Sequence, residues 1–321
     1  MKIYRVTTYY HLMLILLIVD KNEKNILYLD NELLFKLRKK IIATKIFQQV
    51  YNNKCFCKKY SYCRVVSTII YAFLFKVISN MMIKQDILVT SQTNICGKLY
   101  YDFLGIKEVY VIEDGQYTYQ KYVDKKDNSL YEKSILKGIF NTYFLTIYNP
   151  NIKKYFFRFP KKLNVELSRE YDIIKSKIDC FNLEAKIKNI SSELKLDIIS
   201  IFFNNFNITK SNKKYLILLT QPYIEKNTLT SKEMLELYHN ELKLYEKNEF
   251  IFFIKEHPRE LGNKYISIIK DYNLNIIDKD LPFEFLALFG ITFDVGITYN
   301  STAIYSHLIN KKIILEESNA K

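Results

Sequence analysis

Apolar and polar positions along the chain fall into two kinds of stretch. Short apolar runs have the length and the β-branched and aromatic content of buried strands. They are KIYRVTT, NILYLD, DILVTS and EVYVIEDG in the first half and YLILLTQP, FIFFIKEHP, LNIIDKD, DVGITYNS and KKIILEE in the second. Longer stretches with helical spacing separate them, among them YYHLMLILL, NELLFKLRKKIIATKIFQQVY, VSTIIYAFLFKVISNMMI and SKEMLELYHNELKLYEKN, the last with Ser231 as its expected N-cap. Strands and helices alternating at this interval predict βαβ units and parallel sheets. A central stretch from VELSREYD to IISIFFNNF has helical periodicity with neither Gly nor Pro, and reads as helices that close a first domain or bridge to a second. Pro282 and Gly290 bracket PFEFLALFG as a helix, and AIYSHLI reads as a final one. The pattern therefore predicts an α/β protein of two Rossmann-like domains, residues 1–205 and 206–321.

Neither strongly apolar helical stretch reads as a membrane span. The run after His11 holds about eight residues, where a span takes roughly 20, and no small-residue cleavage site follows it. Lys76, Ser79 and Asn80 interrupt the other.

Composition changes this picture little. A chain of 321 residues with 49% hydrophobic and 26% charged residues is a folded one. The net charge of +14 admits a nucleic-acid binder, a protein on an anionic membrane surface or an enzyme for anionic substrates. Abundant Lys, Asn, Ile and Tyr with no Trp point to an AT-rich coding bias, which dilutes that signal. No RNA-binding signature is present, and nucleic acid is not an expected partner. Cys55, Cys57 and Cys63 in CFCKKYSYC depart from the paired spacing of a zinc site and have no fourth ligand nearby. With Cys96 and Cys180 they read as reduced thiols, and the odd total of five suits a reducing compartment.

Ligands of parallel α/β sheets bind beyond the carboxyl ends of the strands. That rule selects Glu113-Asp114-Gly115, the TQPYIEK segment, the EHPRE segment and TYNSTA. His257 could donate a hydrogen bond or a proton to a leaving phosphate, with Pro258 fixing the turn and Lys255 and Arg259 adding positive charge; the same residues also fit a basic surface turn. Glu113 and Asp114 could supply a general base while Gly115 permits a sharp turn, or they could form a simple Asp-Gly turn. Asn300, Ser301 and Thr302 open the final helical stretch, where backbone N–H groups and hydroxyls would hold a phosphate or merely cap. Asp278 and Asp280 are spaced like a cation-binding D-x-D, but acids before a helix serve its dipole, which is the favoured role here, and no metal site is expected. His239 and His307 read as surface or packing residues, and His11 as a weaker candidate for acceptor binding.

Taken in order, the EDG, HP and NSTA segments resemble the signatures shared by bacterial sialyltransferases, and the TTYYHLMLILL and LILLTQPYIEK runs are most similar to glycosyltransferase family 52. That family contains lipooligosaccharide and capsule sialyltransferases together with some glucosyltransferases. The resemblance implies a GT-B architecture, two Rossmann-like domains facing a cleft, with the acceptor on the first domain and the nucleotide-sugar donor on the second. It implies cytidine monophosphate (CMP)–sialic acid as donor, inverting transfer to a galactose-type acceptor on an oligosaccharide or glycolipid, and no metal or other cofactor. His257 would contact or protonate the departing phosphate, Ser301 and Thr302 would hold it, and Asp114 would face the acceptor with Glu113 in support. Some members place the base just past the turn after the second domain's first strand, where this chain has Tyr223 and then Glu225, so the base is either Asp114 or Glu225. A cytoplasmic protein in peripheral contact with the anionic inner face of the plasma membrane is expected, and the resemblance leaves room for a homodimer. A glucosyltransferase, another nucleotide-sugar transferase on this fold, or a non-catalytic basic binding protein are the alternatives.

Overall fold

In a computed structural model of the chain, which describes residues 1–52, 87–90, 108–113, 152–159, 175–203, 211–222, 230–260 and 262–315, the apolar runs become strands of two parallel sheets. The chain divides into two units, Met1–Ile201 and Phe202–Lys321, each organised around one sheet.

In the first unit the described elements run β1 (Lys2–Val6), α1 (Tyr9–Leu16), β2 (Asn25–Leu29), α2 (Glu32–Phe35), α3 (Arg38–Ala43), β3 (Gln49–Asn52), β4 (Ile87–Thr90), β5 (Glu108–Ile112), β6 (Ile152–Phe157), β7 (Ile178–Cys180), α4 (Leu183–Lys188) and α5 (Ser192–Phe202). The sheet order is β3-β2-β1-β4-β5-β6-β7, so the direction of winding reverses between β1 and β4. α1 is the buried helix its apolar run predicts: Thr8 caps it by accepting the His11 N–H, and seven of its eight residues are buried.

The second unit runs β8 (Lys214–Leu219), α6 (Ser231–Leu242), β9 (Phe250–Lys255), α7 (Ile266–Tyr272), β10 (Asn275–Ile277), a 3₁₀ segment (Phe283–Phe289), β11 (Phe293–Thr298), a 3₁₀ turn (Thr302–Tyr305) and β12 (Ile309–Ile314). Its order is β10-β9-β8-β11-β12, reversing between β8 and β11. All five strands finish on one row of the sheet: Ile277 pairs with Lys255, Lys255 with Leu219, Leu219 with Thr298 and Thr298 with Ile314. One face of the sheet carries a core of Leu216, Leu218, Phe252, Ile254, Val295 and Ile297 packed by Met234 and Tyr238 of α6 and Ile268 and Tyr272 of α7. Gly296 lies where a Cβ would stand 2.7 Å from Ile309 and 2.9 Å from Ile304, so β11 needs a residue without a side chain there.

Several expected elements differ. The stretch from Asn31 to Tyr51 forms two short helices and then the edge strand β3, not one helix; Lys45 turns left-handed at φ 56°, which no helix interior accommodates. The N-cap of α6 is Thr230, one residue before the expected Ser231, and it forms a capping box with Glu233. The Pro282–Gly290 segment is 3₁₀, with Phe283 and Leu286, three apart, both buried. AIYSHLI gives only a 3₁₀ turn, since Ser306 is already extended at ψ 146° and β12 starts at Ile309. Strand β6 is absent from the sequence pattern because the pairing register with β5 slips between Val109 and Tyr110, and Lys153 and Lys154 are exposed in succession. β7 is a three-residue strand inside the stretch read as helical. The expected helix around VSTIIYAFLFKVISNMMI, together with Cys55, Cys57, Cys63 and Cys96, lies outside the described residues. Cys180 is a free, exposed thiol.

Candidate active site

The shared end row of the second sheet sets the site. Immediately past it stand Thr220 after β8, Glu256 and His257 after β9, and Tyr299 to Ser301 after β11, on both sides of the switch point. His257, Pro258, Arg259 and Glu260 form a tight turn closed by the Glu260 N–H donating to the His257 carbonyl at 2.9 Å.

Glu260 is 1% exposed, and three donors converge on its carboxylate. Thr220 Oγ1 donates to Oε2, the His257 N–H donates to the same oxygen at 2.7 Å, and the Tyr265 hydroxyl donates to Oε1 at 2.5 Å. The His257 N–H also reaches Thr220 Oγ1 at 3.3 Å. The imidazole of His257 is half-buried, and its Nδ1 accepts the Arg259 N–H at 3.1 Å. An accepting Nδ1 carries no proton, so the neutral ring holds its proton on Nε2, which is then a hydrogen-bond donor.

Across the switch point, buried Thr298 donates through Oγ1 to the Leu219 carbonyl at 2.8 Å and accepts the Ser301 N–H at 2.9 Å. Ser301 is buried and caps the 3₁₀ turn by accepting the Ala303 N–H at 3.4 Å, while Asn300 is exposed. The capping role expected of this segment is thus realised on a one-turn 3₁₀ segment, and no α-helix follows to lend a dipole.

Lys255 does not project into the turn beside His257. It is 8% exposed, and its amine donates to the Lys279 carbonyl at 3.0 Å. Burial pulls its ammonium down to about 8, against the opposing pull of Glu284, Asp278 and Asp280. Lys279 in turn donates to the Glu260 carbonyl at 3.1 Å, joining the two lysines to the His257 turn. Asp278 accepts the Asp280 N–H at 2.9 Å, an Asx turn followed by the 3₁₀ segment, so the pair braces a turn near the Lys255 ammonium instead of serving an α-helix. Among the described residues no three His, Cys, Asp or Glu side chains gather as a metal site would require.

In the first unit Glu113 follows β5 and is 2% exposed. The Tyr10 hydroxyl donates to its Oε1, the Arg158 N–H donates to Oε2 at 2.8 Å, and the Arg158 guanidinium lies 3.9 Å from Oε1. Arg158 also donates to the Tyr10 oxygen at 3.1 Å and covers the Phe159 ring at 5.0 Å. With both oxygens engaged, Glu113 anchors the end of β5 to α1 and to the end of β6. His11 is fully buried, with Nδ1 2.8 Å from Thr7 Oγ1, a packed position and not an acceptor-facing one. Asp114, Gly115, Tyr223, Glu225 and the Thr302 side chain lie outside the described residues.

The strand-end rule selected Glu260, Thr220 and Thr298 only as members of EHPRE, TQPYIEK and TYNSTA, without a role, and nothing in the sequence singled out Tyr10, Arg158 or Lys279. The signal available for Glu260 was its spacing: an acid three residues after a strand-end His-Pro can reach back to the turn's first N–H.

Two parallel-sheet units, each reversing its winding at a central switch point, define the GT-B class of α/β fold, and the comparisons agree. Over the whole chain the fold is similar to an alpha/beta-galactoside alpha-2,3-sialyltransferase of Photobacterium phosphoreum, at 16% identity, with a TM-score of 0.61 and 91% of that chain covered. It is similar to the GT-B domain of a Photobacterium damselae sialyltransferase, again over the whole chain and 92% of the other, at 12% identity and a TM-score of 0.60. A UDP-GlcNAc 2-epimerase of Neisseria meningitidis, solved with UDP-GlcNAc, matches 99% of this chain and 83% of its own at 14% identity and a TM-score of 0.58. The sequence model of the alpha-2,8-polysialyltransferase (POLYST) family matches residues 2–313, and the chain belongs to that family. The sialyltransferase resemblance read from EDG, HP and NSTA is borne out at this level. An uncharacterised protein of Haemophilus influenzae is 29% identical over 206 residues, 64% of this chain and 61% of that one, so the match spans less than two thirds of the relative's length.

Proposed function

We propose that the protein transfers sialic acid from CMP–sialic acid, with inversion, to a galactose-type hydroxyl on a bacterial surface glycan such as lipooligosaccharide or capsule. The observation that carries this reading is the His257 turn: a histidine with its donor nitrogen fixed, at the carboxyl edge of the second sheet, on the strand next to β8, with the Thr298–Ser301 turn on the other side of the switch point.

The chemistry needs little else. The bond from the anomeric carbon to the phosphate oxygen breaks, and the phosphate keeps the electron pair. The acceptor oxygen forms the new bond from the opposite face, and its proton passes to a carboxylate. His257 donates a hydrogen bond from Nε2 to the departing phosphate, offsetting the charge that develops there. Its tautomer supports this contact role over full protonation of the leaving group. The Ser301 hydroxyl supplies a further donor. Asp114 is the proposed base, because its neighbour Glu113 is engaged by Tyr10 and Arg158; Glu225 is the alternative. In this scheme protein groups, not a metal ion, neutralise the phosphate. The family's description favours a second reading of the acceptor, a glycan already ending in sialic acid.

His257→Ala tests the role of the turn. Transfer should fall about 10²- to 10³-fold while the folded state, followed by circular dichroism, persists. Activity retained within a few-fold would remove His257 from the mechanism.

A further inference from the structure

Glu260 has no role in the chemistry proposed above, yet three donors converge on its buried carboxylate. A turn needs no such group. Its own closing bond, from the Glu260 N–H to the His257 carbonyl, already sets its shape. The carboxylate instead collects the first N–H of that turn, the Thr220 hydroxyl just past β8 and the hydroxyl of Tyr265 just before α7. These three donors come from three separate pieces of the unit, and only an acceptor-only group takes all of them without presenting a donor of its own. The imidazole is fixed from the other side, by the Arg259 N–H on Nδ1. Backbone and ring are therefore clamped by neighbouring residues of one turn, and the clamp is rooted in the sheet through Thr220.

We infer that Glu260 is a positioning residue, acting through His257: with Thr220 and Tyr265 it holds the turn so that the ring keeps its proton on Nε2 and directs it toward the leaving phosphate of a nucleotide-sugar donor. This rests on the reading of His257 as the phosphate contact.

The test is a double-mutant cycle joined to a spectroscopic readout. Glu260→Gln should lower kcat about ten- to a hundredfold with KM changed less than about threefold, because the loss falls on an interaction made in the transition state. In a His257→Ala background the same substitution should cost nothing further. Nitrogen-15 spectra of the imidazole should show the Nε2–H form in the wild type and a mixture of tautomers in Glu260→Gln. Should Glu260→Gln fold poorly, Tyr265→Phe removes one hydroxyl only and should move both readouts in the same direction by less. An equal loss of kcat in the presence and absence of His257, or an unchanged tautomer in a folded variant, would overturn the inference. The tautomer measurement needs no substrate, so a failure of CMP–sialic acid as donor would strike the functional reading and leave the clamp to be judged by the spectra.

Discussion

The Arg259 N–H donates to Nδ1 of His257, which sets the tautomer of the neutral ring with its proton on Nε2. Lys255, at the end of the same strand, has the opposite relation to its surroundings: burial works against its charge and brings it down to about 8 from 10.5. In the unfolded chain the amine keeps its proton up to the ordinary value, while the folded protein sheds it earlier. Between about pH 8 and 10 the unfolded state therefore binds more protons, and stability should rise with pH. Above that window the buried phenols of Tyr4 and Tyr265, held neutral by burial, reverse the trend. Denaturant melts at several pH values should show the rise in the wild type and not in Lys255→Met; a rise that persists in the variant would remove Lys255 as its source. His257 was legible in the sequence because a strand end marks it. Glu260 and Glu113 were not legible as anchors, because their partners are set by the fold: Thr220 is 40 residues from Glu260, and Tyr10 is 103 from Glu113.

Strands carried most of what the sequence could disclose, and helices less. A buried parallel strand needs only a short apolar run, and β1, β2, β8, β9 and β11 fall where such runs lie. β6 escaped because its bulge breaks the alternation on which strand reading depends. The connections after β10 and β11 contracted to 3₁₀ segments because periodicity reports which residues are apolar, not how tightly the backbone winds. Within β11 the tightest constraint is Gly296. Adding a methyl there meets the branched tips of Ile309 and Ile304, and Gly296→Ala should destabilise the protein by about 1–3 kcal/mol in equilibrium unfolding. Ile309→Val in the same background should recover part of that loss by removing Cδ1, one of the atoms in the way; no loss in the single variant would mean that β12 and the 3₁₀ turn shift freely.

At the scale of the molecule, two features bear on where and how the protein works. No helix among the described residues is long and apolar enough to cross a membrane. The net charge of +14 is what the expectation of peripheral contact with an anionic surface rests on. The protein should float with vesicles containing anionic lipid at low salt and be released as the salt is raised, and no flotation at low salt would count against that placement. Charge neutralisation by protein groups further predicts that chelating divalent ions with EDTA changes turnover by less than about twofold.

The donor is what most needs a direct test, because the same fold is shared with a protein solved with UDP-GlcNAc. Purified protein should therefore be offered CMP–sialic acid and a set of UDP-sugars in parallel, with galactose-terminated and sialic-acid-terminated acceptors, and the products weighed by mass spectrometry. A sialyltransferase should give acceptors heavier by one or more sialic acid residues with CMP–sialic acid alone; turnover of a UDP-sugar with none of CMP–sialic acid would rule out that donor.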